Sequence, residues 1–212
     1  HNVVIGDAAG MTTTNVDKTV IIGDQAGGSD MTGAGGADGT VAVGFKALEA
    51  LTSGSNNVAI GYQAGKAITS GGGNVVLGES AMIDLVEGTN NIAIGKAAFG
   101  GALDATADAS TDNIFIGKDS GGGAWVTATS NYNVAVGNLT MDAAMNGALN
   151  NTAVGYTALS AVTTGDYNTA IGSNALQNLL SGTNNIAIGL QALDAADGAE
   201  NHNIAIGSSA LG

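Results

Sequence analysis

An apolar triplet followed by glycine recurs twelve times along this 212-residue chain, with the glycines at Gly6, Gly23, Gly44, Gly61, Gly78, Gly95, Gly117, Gly137, Gly155, Gly172, Gly189 and Gly207. Successive glycines stand 17 to 22 residues apart, and six of the eleven intervals are 17. A unit this short cannot bury an apolar face by itself, so the units must stack, each strand pairing in parallel with its copy in the next unit. The expected fold is all-β, with room for short helical turns: a parallel β-solenoid of about twelve coils of 17–22 residues. At a strand spacing of about 4.8 Å the rod is on the order of 55 Å long. The repeat runs without a linker, so residues 1–212 read as one solenoid domain. Its first and last units cut into the pattern without capping segments, so the chain is expected to belong to a longer fibrous polypeptide.

Aligning the units on their glycines separates columns with different physical roles. Four residues before the glycine stands Asn in ten of twelve units, with Thr19 and Thr40 as the exceptions. A column of amides suits a ladder in which each side chain bonds to the coils above and below. The triplets, such as Val58-Ala59-Ile60, are β-branched and short enough for a strand; only Thr152 and Thr169 break the apolar rule. Three residues after the glycine comes Ala in ten units, often followed by Leu or Met, as in Ala47-Leu48 and Ala175-Leu176. Further apolar residues three or four positions on, such as Leu51 and Leu179, suit one or two helical turns or a second strand. Turns rich in Gly, Ser, Thr and Asn close each unit.

Side chains alternate across a strand, so the middle residue of each triplet faces opposite to its two neighbours. None of the twelve middle residues is polar. If the Ala/Leu half of each coil folds back over the outer pair, the middle column is left facing outward, and its small residues permit close approach of another chain. On this reading Ala59, Ala93, Phe115, Ala135, Ala153, Ala170, Ala187 and Ala205 are candidates for an interface between copies of the chain.

Composition narrows the function. Five lysines, no arginine and 18 acidic residues give a formal charge of −13, which repels a nucleic-acid backbone. No apolar run approaches the roughly 18 residues that would span a bilayer, so no membrane insertion is expected of this segment. With no cysteine and only His1 and His202, a thiolate metal site or a nucleophile–base pair has nothing to build on. No catalytic residue, metal or cofactor is expected, and the chain does not read as an enzyme.

The repeated Asn-Asn-Ile-Ala-Ile-Gly-x-x-Ala, intact at Asn90–Gly95 with Ala98 and at Asn184–Gly189 with Ala192, resembles the head repeats of YadA-type trimeric autotransporter adhesins and related repeats of phage tail fibres. The resemblance covers essentially the whole chain. It implies a homotrimer of left-handed parallel β-rolls, extracellular at a cell or virion surface, that mediates attachment to a glycan or protein receptor. The alternatives are a single-chain binding solenoid, such as an ice-binding protein, and a passive surface-filament subunit. A regular Thr-x-Thr column would mark the former, and the sequence has none.

Irregular units point to where a receptor would be met. The long intervals after Gly95 and Gly117 are adjacent, so residues 100–112 and 121–133 are expected to project from one edge of the rod. Within the second lie Trp125, the only tryptophan, and Tyr132, the receptor-binding candidates. The competing reading of Trp125 has it pack down over the rod.

Overall fold

The computed structural model of the chain describes residues 1–11, 16–28, 31, 36–101, 109–195 and 198–212. Each triplet is a strand: β1 (Val3–Ile5), β2 (Val20–Ile22), β3 (Val41–Val43), β4 (Val58–Ile60), β5 (Val75–Leu77), β6 (Ile92–Ile94), β7 (Ile114–Ile116), β8 (Val134–Val136), β9 (Thr152–Val154), β10 (Thr169–Ile171), β11 (Ile186–Ile188) and β12 (Ile204–Ile206). They form one twelve-stranded sheet in sequence order. All pairings are parallel and in register by triplet position, as in Val58↔Val75, Ala59↔Val76 and Ile60↔Leu77. The register survives the 22-residue interval, where Ala93 still meets Phe115. Extra residues are therefore absorbed in the return half of a coil and never in its strand. The result is a β-solenoid of about eleven turns.

Glycine at the end of every strand but the last is required twice over. Gly61 has φ +141°, and a Cβ there would sit 2.5 Å from the carbonyl oxygen of Gly78 in the next coil. The column thus satisfies a backbone that only glycine adopts freely and a stacking distance that leaves no room for a side chain.

The return half contains no α-helix among the described residues, only consecutive turns. Left-handed residues at the second and fourth positions after the glycine, such as Ala97 (φ 53°) and Phe99 (φ 50°), interrupt any helical run. They aim successive amides along the rod in opposite directions: Ala97 N–H donates to Glu79 O of the preceding coil at 2.9 Å, and Phe99 N–H to Ser120 O of the following coil at 2.8 Å. Each such non-glycine residue costs about 1–2 kcal/mol. That cost is tolerated because the alternative is buried, unpaired backbone.

Inside the coil, the middle column of the sheet packs against the alanines that follow the glycines and against Leu48, Leu51, Ile68, Leu85, Leu159 and Leu179. The interior is thin, which is why alanine recurs on both walls. Where one wall carries a bulky residue, the other gives way. Phe115 lies opposite Gly121, whose added Cβ would meet the ring at 2.6 Å, and a Cβ on Gly27 would meet Met31 Cε at 2.5 Å.

These contacts reverse the expected sense of the strand. Ala59, Ala93, Phe115, Ala135, Ala153, Ala170 and Ala187 are wholly buried inside their own chain, and Ala205 is 2% exposed. None of the eight is available to a second copy. The alanines mark a narrow interior rather than the close approach of another backbone, and the outward residues are the first and third of each triplet.

Candidate association surface

The Asn column explains which face turned inward. Asn74 donates its backbone N–H and its Nδ2 to Asn57 Oδ1 at 3.0 and 3.1 Å, and Nδ2 also reaches Gly88 O at 2.9 Å in the following coil. The same pattern passes through Asn91, Asn113, Asn133, Asn151, Asn168 and Asn185 to Asn203. Amide ladders are strong when shielded from water, and Asn57 to Asn185 are buried. Two residues further along the strand lies the middle column, on the same side by alternation. Burying the ladder therefore buries the middle residue and turns its two neighbours to the outside.

Those neighbours make a continuous strip. Of the 24 first and third triplet positions, 22 are Val, Ile or Leu and two are Thr. Stacked copies shield one another's flanks, yet Ile60, Ile171 and Ile186 remain 38–43% exposed, and at β12 Ile204 and Ile206 reach 66% and 67%. Two columns some 7 Å apart along about 50 Å of rod present an apolar area on the order of 500 Å². No charged side chain interrupts it. A strip of that size and regularity is a candidate association surface, unlike a scatter of single exposed side chains.

Two further columns border the strip at its corners, where the backbone leaves the strand. Five residues before each glycine is a leading edge, whose members, among them Asn56, Tyr132, Tyr167 and His202, take positive φ. One residue after each glycine is a trailing edge that includes Tyr62, Lys96, Lys118 and Tyr156. Tyr62, Tyr132, Tyr156 and Tyr167 are all 51–57% exposed. Phe45 stacks on Tyr62 with centroids 5.3 Å apart, and Lys46 Nζ sits 5.6 Å over the Phe45 ring.

The two receptor candidates separate. Tyr132 is 56% exposed on the leading edge, whereas Trp125 is completely buried. Its ring packs 4.5 Å from Phe99 and 5.6 Å from Phe115, filling the core beside the longest interval of the chain. Trp125 is thus a core residue, not a surface anchor. Residues 121–133 do not project either. Val126 N–H donates to Met145 O at 3.1 Å, Gly147 N–H donates to Ser130 Oγ at 3.1 Å, and Ser130 N–H donates to Ser110 Oγ at 3.0 Å, so the segment follows its neighbours along the rod. Of the other expected protrusion, 102–108 lie outside the described residues.

The return side offers little. An open groove of about 450 Å³ is lined by Glu49, Lys66, Ile83 and Asp84. Its cation is already engaged: Glu49 takes Lys46 Nζ at 2.8 Å and Lys66 Nζ at 3.8 Å. Partial burial raises the Asp84 carboxyl above its ordinary range against the opposing pull of Lys66. Burial also raises Asp142, its own backbone hydrogen bond lowering it and Asp119 raising it further. Among the described residues no three His, Cys, Asp or Glu side chains converge on a metal-sized space. No protein-family model, curated protein or solved structure matches the chain.

Proposed function

We propose that the chain is a rod segment of an extracellular homotrimeric fibre, an adhesin head or a tail fibre, whose assembled surface attaches to a cell. The observation that carries this reading is the outward strip, 22 of 24 positions Val, Ile or Leu along the whole sheet. Water-facing strands ordinarily alternate with polar residues; here the outward columns are as apolar as the core. Covering the strip with two further copies removes it from water, leaves no lateral partner to recruit, and produces a stiff rod whose polar return sides face outward. The resemblance of the repeat to trimeric adhesin heads supports the same stoichiometry and the extracellular setting. Receptor contact then falls to the return sides and to exposed edge residues such as Tyr132. The alternative, a single-chain solenoid using the strip on an ordered surface such as ice, is disfavoured by aliphatic side chains where hydroxyls would be needed.

Sedimentation equilibrium tests the reading. The expected particle contains three 20.5-kDa chains, and Ile94→Asp with Ile188→Asp is expected to reduce it to a folded monomer. A monodisperse wild-type monomer would overturn the trimer and favour the single-chain alternative.

A further inference from the structure

Asn146-Gly147 is the only place in the chain where asparagine precedes glycine. In such a pair the glycine nitrogen can reach the side-chain carbonyl carbon of the asparagine, because no Cβ stands in the way. The ladder asparagines are closed to this chemistry. Asn74, for example, is followed by β-branched Val75, whose N–H is held by Asn91 O at 2.9 Å, and its own Oδ1 and Nδ2 are both engaged. Asn146 sits differently, half-buried in the return half of the coil between β8 and β9. Its Oδ1 accepts from Thr127 Oγ1 at 2.6 Å, and the N–H of Gly147 donates to Ser130 Oγ at 3.1 Å. Both hydroxyls belong to the preceding coil, so the amide carbonyl and the neighbouring nitrogen are turned to one side of the backbone. Only Ala128 Cβ, at 3.5 Å, would stand near a Cβ on Gly147, which leaves room at this corner for a closing ring.

We propose that Asn146-Gly147 is a self-modifying site that deamidates in the folded chain with the help of Thr127 and Ser130. The Gly147 nitrogen bonds to Asn146 Cγ while its proton leaves by way of Ser130 Oγ. The Cγ–Nδ2 bond then breaks, and Nδ2 departs with a proton as ammonia. Thr127 donates to the oxygen on which negative charge gathers as the nitrogen attacks, and Ser130 holds the N–H whose proton must go. The product is a cyclic imide. Water, the sole co-reactant, opens it at either carbonyl, giving aspartate at position 146 or isoaspartate, in which the backbone runs through the side-chain carbon. Either product adds a carboxylate to a stretch in which no lysine follows Lys118. Isoaspartate also lengthens the return path against the coil-to-coil bond from Asn146 N–H to Thr163 O, now 2.7 Å. The site lies on the return half, away from the apolar strip, so water reaches it whether or not the strip is covered.

Peptide mapping by mass spectrometry of the full chain, held folded at neutral to mildly alkaline pH, reads the reaction. Aspartate and isoaspartate are expected to accumulate at position 146 while the ladder asparagines stay intact, and faster than in the same chain held in denaturant. Thr127→Val and Ser130→Ala are each expected to slow the reaction several-fold in the folded chain and to leave the denatured rate unchanged. Thr127 is exposed, so its variant keeps the fold and decides the matter where Ser130→Ala unfolds. Asn146→Gln, which would have to close a larger ring, is expected to stay unmodified. A folded chain that reacts at position 146 no faster than the denatured chain, or a Thr127→Val rate equal to or above that of the unsubstituted chain, would mean that the two hydroxyls hold the pair apart and would overturn the proposal.

Discussion

At the scale of single residues the Asn ladder is where chemistry is concentrated. Each amide joins three coils, and the ladder is broken only where Thr19 and Thr40 stand; their Oγ1 atoms are buried without a partner. Thr40→Asn would offer Oδ1 to the Asn57 amide groups and Nδ2 to Gly54 O, an oxygen that Asn57 Nδ2 already approaches at 2.9 Å. The variant is expected to gain about 1 kcal/mol, read as a higher denaturant midpoint with unchanged slope. Removing a rung should be worse than adding one is good. Asn113→Ala strands Ser130 O and the Asn133 amide groups, which now bond to or through Asn113 at 2.9–3.2 Å, and is expected to cost about 2–4 kcal/mol. The ladder was legible in the sequence as a column of amides. That the middle residue shares a side with the ladder was legible too, since two positions along a strand is the same side; which side is inside was not. The middle column read alone points to the wrong face, because small apolar residues suit a narrow core and an interface equally.

At the scale of the strand, adjacent residues have opposite fates, and that separates folding from assembly. Ala93 is wholly buried and Ile94 faces outward on the strip. Ala93→Asp places a charge in the interior beside the amide ladder with no cation to meet it, and is expected to unfold the chain or abolish its expression. Ile94→Asp leaves circular dichroism of the isolated chain unchanged and weakens self-association. If Ala93→Asp remained folded and monomeric while Ile94→Asp still assembled, the outward strip would not be the contact. The return half was less legible. Its apolar spacing at Leu48 and Leu51 suits a helical turn, but the left-handed conformation of Lys46 and Leu48 (φ 56° and 51°) is imposed by hydrogen bonds to neighbouring coils. No local propensity announces it.

At the scale of the whole molecule, charge and apolar surface pull in opposite directions. Every lysine lies at or before Lys118, so the coils of the last five strands carry acidic residues with no lysine among them. Each copy carries a formal charge of −13, so any assembly of copies brings like net charge together. Raising salt shortens the Debye length to about 10 Å at 0.1 M and less above it, screening this repulsion while leaving apolar contact intact. Self-association is therefore expected to strengthen between low salt and 0.5 M NaCl, measured by sedimentation. Weakening over that range would mean that ion pairs rather than the strip hold the copies together.

The sequence by itself determined the repeat, the strands to the residue, their parallel order and the single array, because a 17-residue period with glycine at a forced backbone position admits one way of stacking. Only the tertiary structure decided which face of each strand is inside, that Trp125 closes the core with Phe99 and Phe115, and that residues 121–133 follow the rod. Alternation along a strand defines two faces but not which one the return chain covers. That choice is made at the corners, where the positive φ of each glycine and of the residue five before it bends the coil toward its amide ladder. A bulky side chain such as Trp125 is equally at home on a surface or in a cavity until the packing opposite it is known; here Phe99 and Phe115 supply that packing.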